Sequence, residues 1–192
     1  MTVRDEDYTG TREALRRHKV RCLPEEPLRN ACVAAMSVAD NLAFRSFDEK
    51  PFAVAGVGLS RRAIFRQAER LVRDFQVRTP STDTAIGRLS GGNVQRTVLA
   101  RELEGDVEVL VAANPCMGLD FAAVAEIHTR LRHARDRGAA VLLVSADLDE
   151  IFALADRVLV MSEGRIVHET TPATADMRSV GQFMAGHAAA GN

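Results

Sequence analysis

The residues best suited to chemistry lie in Leu89-Ser90-Gly91-Gly92-Asn93-Val94-Gln95-Arg96. A hydroxyl and two adjacent glycines come just ahead of a helical pattern, Gln95 to Glu104, with Val98, Leu99 and Leu103 on one side. Ser90 is placed to cap that helix, and the glycines let the backbone come close to a bound anion. A helix start of this kind has N–H groups without intrahelical partners at the positive end of the dipole, which suits a phosphate. A plain helix-start turn is the competing reading of Ser-Gly-Gly alone. Other reactive side chains say less. Cys22, Cys32 and Cys116 are odd in number and fit no metal-ligand spacing, so three reduced thiols and no metal site are expected. His128 and His133 are five apart on a helical pattern and share a face poorly, and His18, His168 and His187 are isolated.

The whole octet resembles the LSGGNQQK signature of ATP-binding cassette (ABC) transporter ATPases. Downstream, Val107 to Ala113 is an apolar run of strand length, followed by Asn114-Pro115-Cys116-Met117-Gly118-Leu119-Asp120. In the family this strand ends in an aspartate for the Mg²⁺ shell and a glutamate for the attacking water. Here Ala113 and Asn114 stand at those two positions. Alanine offers no oxygen to Mg²⁺, and a neutral amide cannot take a proton as a carboxylate does. Asn114 then reads either as a weakened catalytic residue or as a hydrogen-bonding loop residue without chemistry. Gly118-Leu119-Asp120, the D-loop that crosses to a partner subunit, is intact. A second strand, Ala140 to Ser145, is followed by Ala146 where the family carries a γ-phosphate-contacting histidine. Asp147 and Glu150 have the spacing of a capping box for a helix through Ala155.

The string Gly-x-x-x-x-Gly-Lys-Ser/Thr, whose N–H groups and lysine hold β- and γ-phosphates, does not occur in this sequence. The resemblance runs from Arg21-Cys22-Leu23-Pro24-Glu25-Glu26, through Met36-Ser37-Val38-Ala39-Asp40-Asn41-Leu42, to Val180-Gly181-Gln182-Phe183-Met184-Ala185-Gly186. Its form resembles the second, degenerate cassette of the two-cassette ATPases of nucleoside and simple-sugar importers. What the resemblance implies is an ATP-binding cassette subunit, or a fragment of one, of the ABC-type ATPase class but not active alone. Ser90, Gly91, Gly92, Asn93 and Gln95 would face ATP in trans, shared with a partner cassette whose site also supplies Mg²⁺. The implied partners are that cassette and transmembrane permease subunits. The implied location is the cytoplasm, peripheral on the inner face of the cell membrane. Glu25 and Glu26 lie where the family's Q-loop runs, and a reading as surface carboxylates stands equally beside that one. The alternative for the whole chain is a non-catalytic remnant or assembly module of a transport complex with no nucleotide role.

The elements needed to position these residues follow from the pattern. A chain of 192 residues, 46% hydrophobic, can bury one sizeable core. The net charge of −1, the lack of Trp and the single Tyr8 give no reason to propose nucleic acid. No apolar segment reaches the ~18–20 residues of a membrane span, and Met1 to Gly10 has no hydrophobic run of the secretory kind. Residues 1–20 read as a poorly ordered or weakly helical lead-in, with Thr11 to His18 the best helical candidate. Residues 21–105 form a Q-loop-like segment and a helical signature subdomain. They hold a strand near Lys19 to Leu23, a helix near Val38 to Phe44, a loop at Pro51 to Leu59, and a helix from Arg61 to Phe75 capped by Ser60. In that last helix Ile64, Phe65, Ala68, Leu71, Val72 and Phe75 share one buried face, and the arginines opposite read as a solvated face.

Residues 106–170 alternate strand and helix, with a helix around Ala122 to Arg135 and a hairpin turning at Glu163-Gly164. Residues 171–192 hold a C-terminal helix and tail. The fold class is α/β: a partial P-loop NTPase sheet of the ABC ATPase type, parallel and covered by helices on both faces, with an α-helical signature subdomain. Without a P-loop strand and helix, apolar surface on the strand at 107–113 is expected to be under-covered.

Overall fold

The computed structural model describes residues 2–3, 5–54 and 58–185. The chain opens on a two-residue hairpin, β1 (Thr2–Val3) and β2 (Glu6–Asp7), and enters α1 (Arg12–Arg17). Thr11 caps α1 by accepting from the Ala14 N–H at 3.2 Å, and the buried Ala14 anchors it. There follow β3 (Val20–Leu23), α2 (Pro27–Asn30), α3 (Val38–Ala43), and the short β4 (Ala53–Val54) and β5 (Gly58–Leu59). Next come α4 (Arg61–Asp74), a 3₁₀ turn at Ile86–Arg88, α5 (Gly91–Glu102), β6 (Val109–Ala113), α6 (Phe121–Asp136) and β7 (Ala140–Val144). The chain continues through α7 (Leu148–Leu154), β8 (Val158–Ser162), β9 (Arg165–Thr170) and α8 (Met177–Met184). Part of the Pro51 to Leu59 loop (55–57), and the tail with Gly186 and His187, lie outside the described residues.

Contacts gather the chain into two units, Met1–Val144 and Ser145–Asn192. The lead-in joins the first unit because α1 packs on β3, and β3 pairs in parallel with β6. In the first unit the sheet has the order β3-β6-β7, all parallel. Its register puts Arg21, Leu110 and Val141 on one face, and Cys22, Val111 and Leu142 on the other.

The two faces of this sheet are covered unequally. Leu23, Leu110 and Ala112 are buried on the first face, whereas Val109, Val111 and Ala113 on the second are only half-buried. On β7, Leu142 and Val144 are 54% and 51% exposed, so the widest gap in cover falls one strand beyond the 107–113 run expected to show it. β7 is also an edge of this three-stranded sheet, with no strand on its outer side among the described residues.

The helical part of the first unit follows its sequence pattern closely. Ser60 accepts from the Ala63 N–H at 3.3 Å to start α4, which buries Ile64, Ala68, Leu71 and the closing Phe75, with Phe65 and Val72 half-buried. Arg61, Arg62, Arg66, Arg70 and Arg73 are exposed, and Arg61 and Arg70 reach across to Asp40 and Glu104. Ser37 caps α3 through the Asp40 N–H at 3.0 Å. Helix α5 is buried along Val94, Gln95 and Thr97 through Glu102, with Gly92 and Asn93 half-buried and Gly91 exposed at its start.

In the second unit, β8 and β9 form an antiparallel hairpin in which Ser162 pairs with Arg165. Glu163 and Gly164, at φ 49° and 76°, supply the two left-handed residues of a tight turn. Asp147 caps α7 by accepting from the Asp149 and Glu150 N–H groups. Its own N–H goes to Ser145 Oγ at 3.0 Å rather than to Glu150, so a capping box is not the geometry found. His168 stacks on Phe183 of α8 at 4.3 Å between ring centroids.

Candidate functional site

Helix α5 begins at Gly91, four residues earlier than the apolar pattern indicates, because Gly91, Gly92 and Asn93 carry no hydrophobic side chain. Ser90 holds the N-cap position with extended backbone, and its carbonyl accepts from the Asn93 and Val94 N–H groups at 2.9 and 3.0 Å. Its side chain does not cap the helix. Ser90 Oγ instead accepts from Asn93 Nδ2 at 2.9 Å, which leaves the hydroxyl hydrogen available to donate outward. Asn93 is held in turn by the Arg78 N–H, which donates to its Oδ1 at 2.7 Å. Ser90 and Gly91 are exposed, and a Cβ on Gly91 would meet nothing within 4 Å. The tip therefore combines an open approach with a short polar brace, and the helix dipole adds its positive end there.

The loop after β6 packs against this tip. Gln95, buried on α5, donates through Nε2 to the Pro115 carbonyl at 2.7 Å. A Cβ on Gly92 would sit 3.4 Å from Leu119 Cδ2, so glycine permits the close approach of the 118–120 turn. Gly118 turns there at φ 72°, and Asp120 accepts from the Ala123 N–H at 2.9 Å. That carboxylate is thereby engaged as the N-cap of α6. Arg96 of α5 pairs with Glu126 of α6 at 2.9 Å, a second brace between the same elements.

At the end of β6, Ala113 pairs with Val144 and contributes no oxygen. Asn114 turns left-handed at φ 44°, and its N–H donates to the Val144 carbonyl at 2.7 Å. Its Nδ2 donates to Glu25 Oε1 at 3.1 Å, so the structure brings together two residues 89 apart in sequence. Glu26 is not part of that contact: it is the left-handed N-cap residue of α2 and lies 3.6 Å from Arg29. Ala146 belongs to the second unit, in the turn ahead of Asp147, with only a methyl group to offer. Sequence reading passed over the Asn93 brace and the Arg96–Glu126 pair. The three-residue spacing of Ser90 and Asn93 was a usable signal for the first; nothing in the sequence pairs residues 30 apart for the second.

The three thiols lie apart from this tip in role. Burial pushes the Cys22 thiol up, with the Glu102 carboxylate adding to the effect, and burial does the same for Cys32. All three cysteines are unbridged.

The fold is that of the ABC ATPases. The chain superposes with a TM-score of 0.68 and 17% identity on an ATP-binding cassette solved as a dimer in a post-hydrolysis state with ADP and Pi, over 88% of this chain and 68% of that one. Within that class it is a homologue of the ATP-binding proteins of sugar and nucleoside importers. It is 35% identical over 164 residues to the guanosine import ATP-binding protein NupO of Bacillus subtilis, covering 85% of this chain and 32% of that protein. To the glucose import ATP-binding protein TsgD13 of Haloferax volcanii it is 42% identical over 85% of this chain and 30% of the relative. To an arabinose import ATP-binding protein, AraG 2 of Burkholderia ambifaria, it is 39% identical over 88% of this chain and 32% of the relative. The chain thus spans about a third of the length of the curated relatives it matches. No family model matches it. Among the described residues no helix is long and apolar enough to cross a membrane.

Proposed function

We propose that this chain serves a solute importer of the nucleoside or simple-sugar type by offering its α5 tip to a nucleotide bound on a partner cassette. The observation that carries this reading is the Ser90-Gly91-Gly92 turn: open to solvent, braced by Asn93 and Gln95, and backed by Leu119. In this reading Ser90 donates its free hydroxyl hydrogen to a phosphate oxygen, and the Gly91 and Gly92 N–H groups add the positive end of the helix. Gly118, Leu119 and Asp120 form the neighbouring part of the same contact surface. ATP is shared with the partner, whose own site supplies the Mg²⁺, the phosphate-holding lysine and the catalytic carboxylate. Ala113 and Asn114 cannot stand in for these groups, since neither carries a carboxylate. Glu25, which accepts from Asn114, and the adjacent Glu26 are the candidates for a Q-loop-like role. Transmembrane permease subunits are the proposed docking partners, with the chain peripheral on the cytoplasmic face of the membrane.

Capture of the chain by a hydrolysis-deficient cassette that carries its own P-loop tests this proposal. Capture is expected to require MgATP and to be lost in Gly91→Asp and Ser90→Arg. Gly91 faces open space, so the aspartate places a like charge at the phosphate position without disturbing packing. Capture that ignores both ATP and Gly91→Asp points to the other reading, an assembly module without a nucleotide role.

A further inference from the structure

Away from the α5 tip, one cavity is lined by four guanidinium-bearing side chains. Arg12, Arg16, Arg21 and Arg45, with Leu15 and Phe44, enclose about 160 Å³, and no carboxylate is among the lining residues. Three of these cations are already paired from outside the cavity. Arg12 lies 3.1 Å from Asp48, Arg16 pairs with Asp48 and Glu49, and Arg45 pairs with Glu102 at 2.7 Å. Arg21 is different. It stands on the packed face of the sheet, in register with Leu110, and its Nε is sealed from solvent with no acceptor among the described residues. A buried donor without a partner is uncommon in folded proteins and disfavours the state that contains it. Burial also holds the Arg21 guanidinium below its usual range; the Glu102 carboxylate opposes this, and the neighbouring Arg45 adds to it.

We propose that this cavity binds a phosphate group, with Arg21 as the residue that reads it. A guanidinium donates two parallel bonds to a pair of phosphate oxygens, a geometry for which arginine is better suited than lysine. The volume accommodates a phosphate with a few waters, since one water takes about 30 Å³ of liquid. A second cavity of about 300 Å³ shares Arg16, Arg21 and Arg45, but it also has Glu49, Glu104 and Asp106 in its lining. Those carboxylates repel an anion, so the phosphate belongs in the smaller cavity. The group is carried either by inorganic phosphate or by a small phosphate monoester.

Thermal unfolding at constant ionic strength separates these outcomes. The probes are inorganic phosphate and glycerol 3-phosphate, with sodium chloride as the control. At millimolar phosphate the wild-type midpoint is expected to rise beyond the chloride control. Arg21→Gln is expected to fold with an unchanged or higher midpoint without phosphate, because an unsatisfied buried donor has gone. It is expected to weaken phosphate binding about tenfold or more. Arg12→Gln, at the exposed side of the cavity, weakens binding less. A response to inorganic phosphate assigns the free ion, and a response to glycerol 3-phosphate alone assigns a monoester. No shift beyond chloride with either probe, or an equal shift in wild type and Arg21→Gln, overturns the proposal.

Discussion

Glu102 is fully buried on α5, and several donors converge on its carboxyl group. Arg45 donates through Nε and Nη2, Arg101 through Nε at 2.8 Å, and the Cys22 N–H approaches at 3.4 Å. Removing one partner from such a cluster leaves buried charge uncompensated. Glu102→Ala is therefore expected to lose about 3–5 kcal/mol in urea unfolding; a loss below ~1 kcal/mol would show that Arg45 and Arg101 find water instead. The thiols make a second test at this scale. With the Cys22 and Cys32 thiols pushed up by burial, the thiolate fraction at neutral pH is below that of a free thiol. Alkylation by iodoacetamide at pH 7 should be slower at both positions than with free cysteine, and it should accelerate as pH rises. Rates equal to free cysteine would contradict the burial. Among the candidate site residues, Ser90 was legible as the N-cap position from its type and place, although its side chain accepts from Asn93 instead of capping the helix. The Asn114–Glu25 contact was not, because it depends on how β3 and β6 pair and no local pattern encodes that. Asp120 was placed only through the family resemblance, and its use as the α6 cap emerged from the structure.

Among the elements, α4 was readable in full because a hydroxyl cap and an apolar stripe agree on the same boundaries. The start of α5 was misread because its first turn carries glycines and a polar residue, so the apolar period begins only at Val94. For β7, an uninterrupted apolar run reads as a strand covered on both faces, yet its exposed Ala140, Leu142 and Val144 show that composition reports the demand for cover rather than its supply. Natural edge strands are commonly blunted by a charge, a proline or a bulge, and β7 carries none of these. Leu142→Lys should change stability by no more than about 0.5 kcal/mol. It should also reduce self-association in a light-scattering titration. A large destabilisation would mean that Leu142 is packed rather than exposed.

Across the whole molecule, the α/β class and the parallel sheet were legible from the alternation of apolar strands with amphipathic helices. The grouping into two units turns on which strands share a sheet: β3 and β7 join β6, while among the described residues β8 and β9 pair with each other. Because Ala113 and Asn114 carry no carboxylate, the proposed division of labour assigns nucleotide capture to a partner and the contacting helix tip to this protein. That division is tested most directly by titrating MgATP into the chain alone, and into a P-loop-bearing, hydrolysis-deficient cassette with and without the chain. The account predicts no micromolar binding by the chain alone and an affinity of the cassette raised about tenfold or more when the chain is present. It also predicts that Gly91→Asp abolishes the gain. Micromolar MgATP binding by the isolated chain, or a cassette affinity indifferent to its presence, would contradict it.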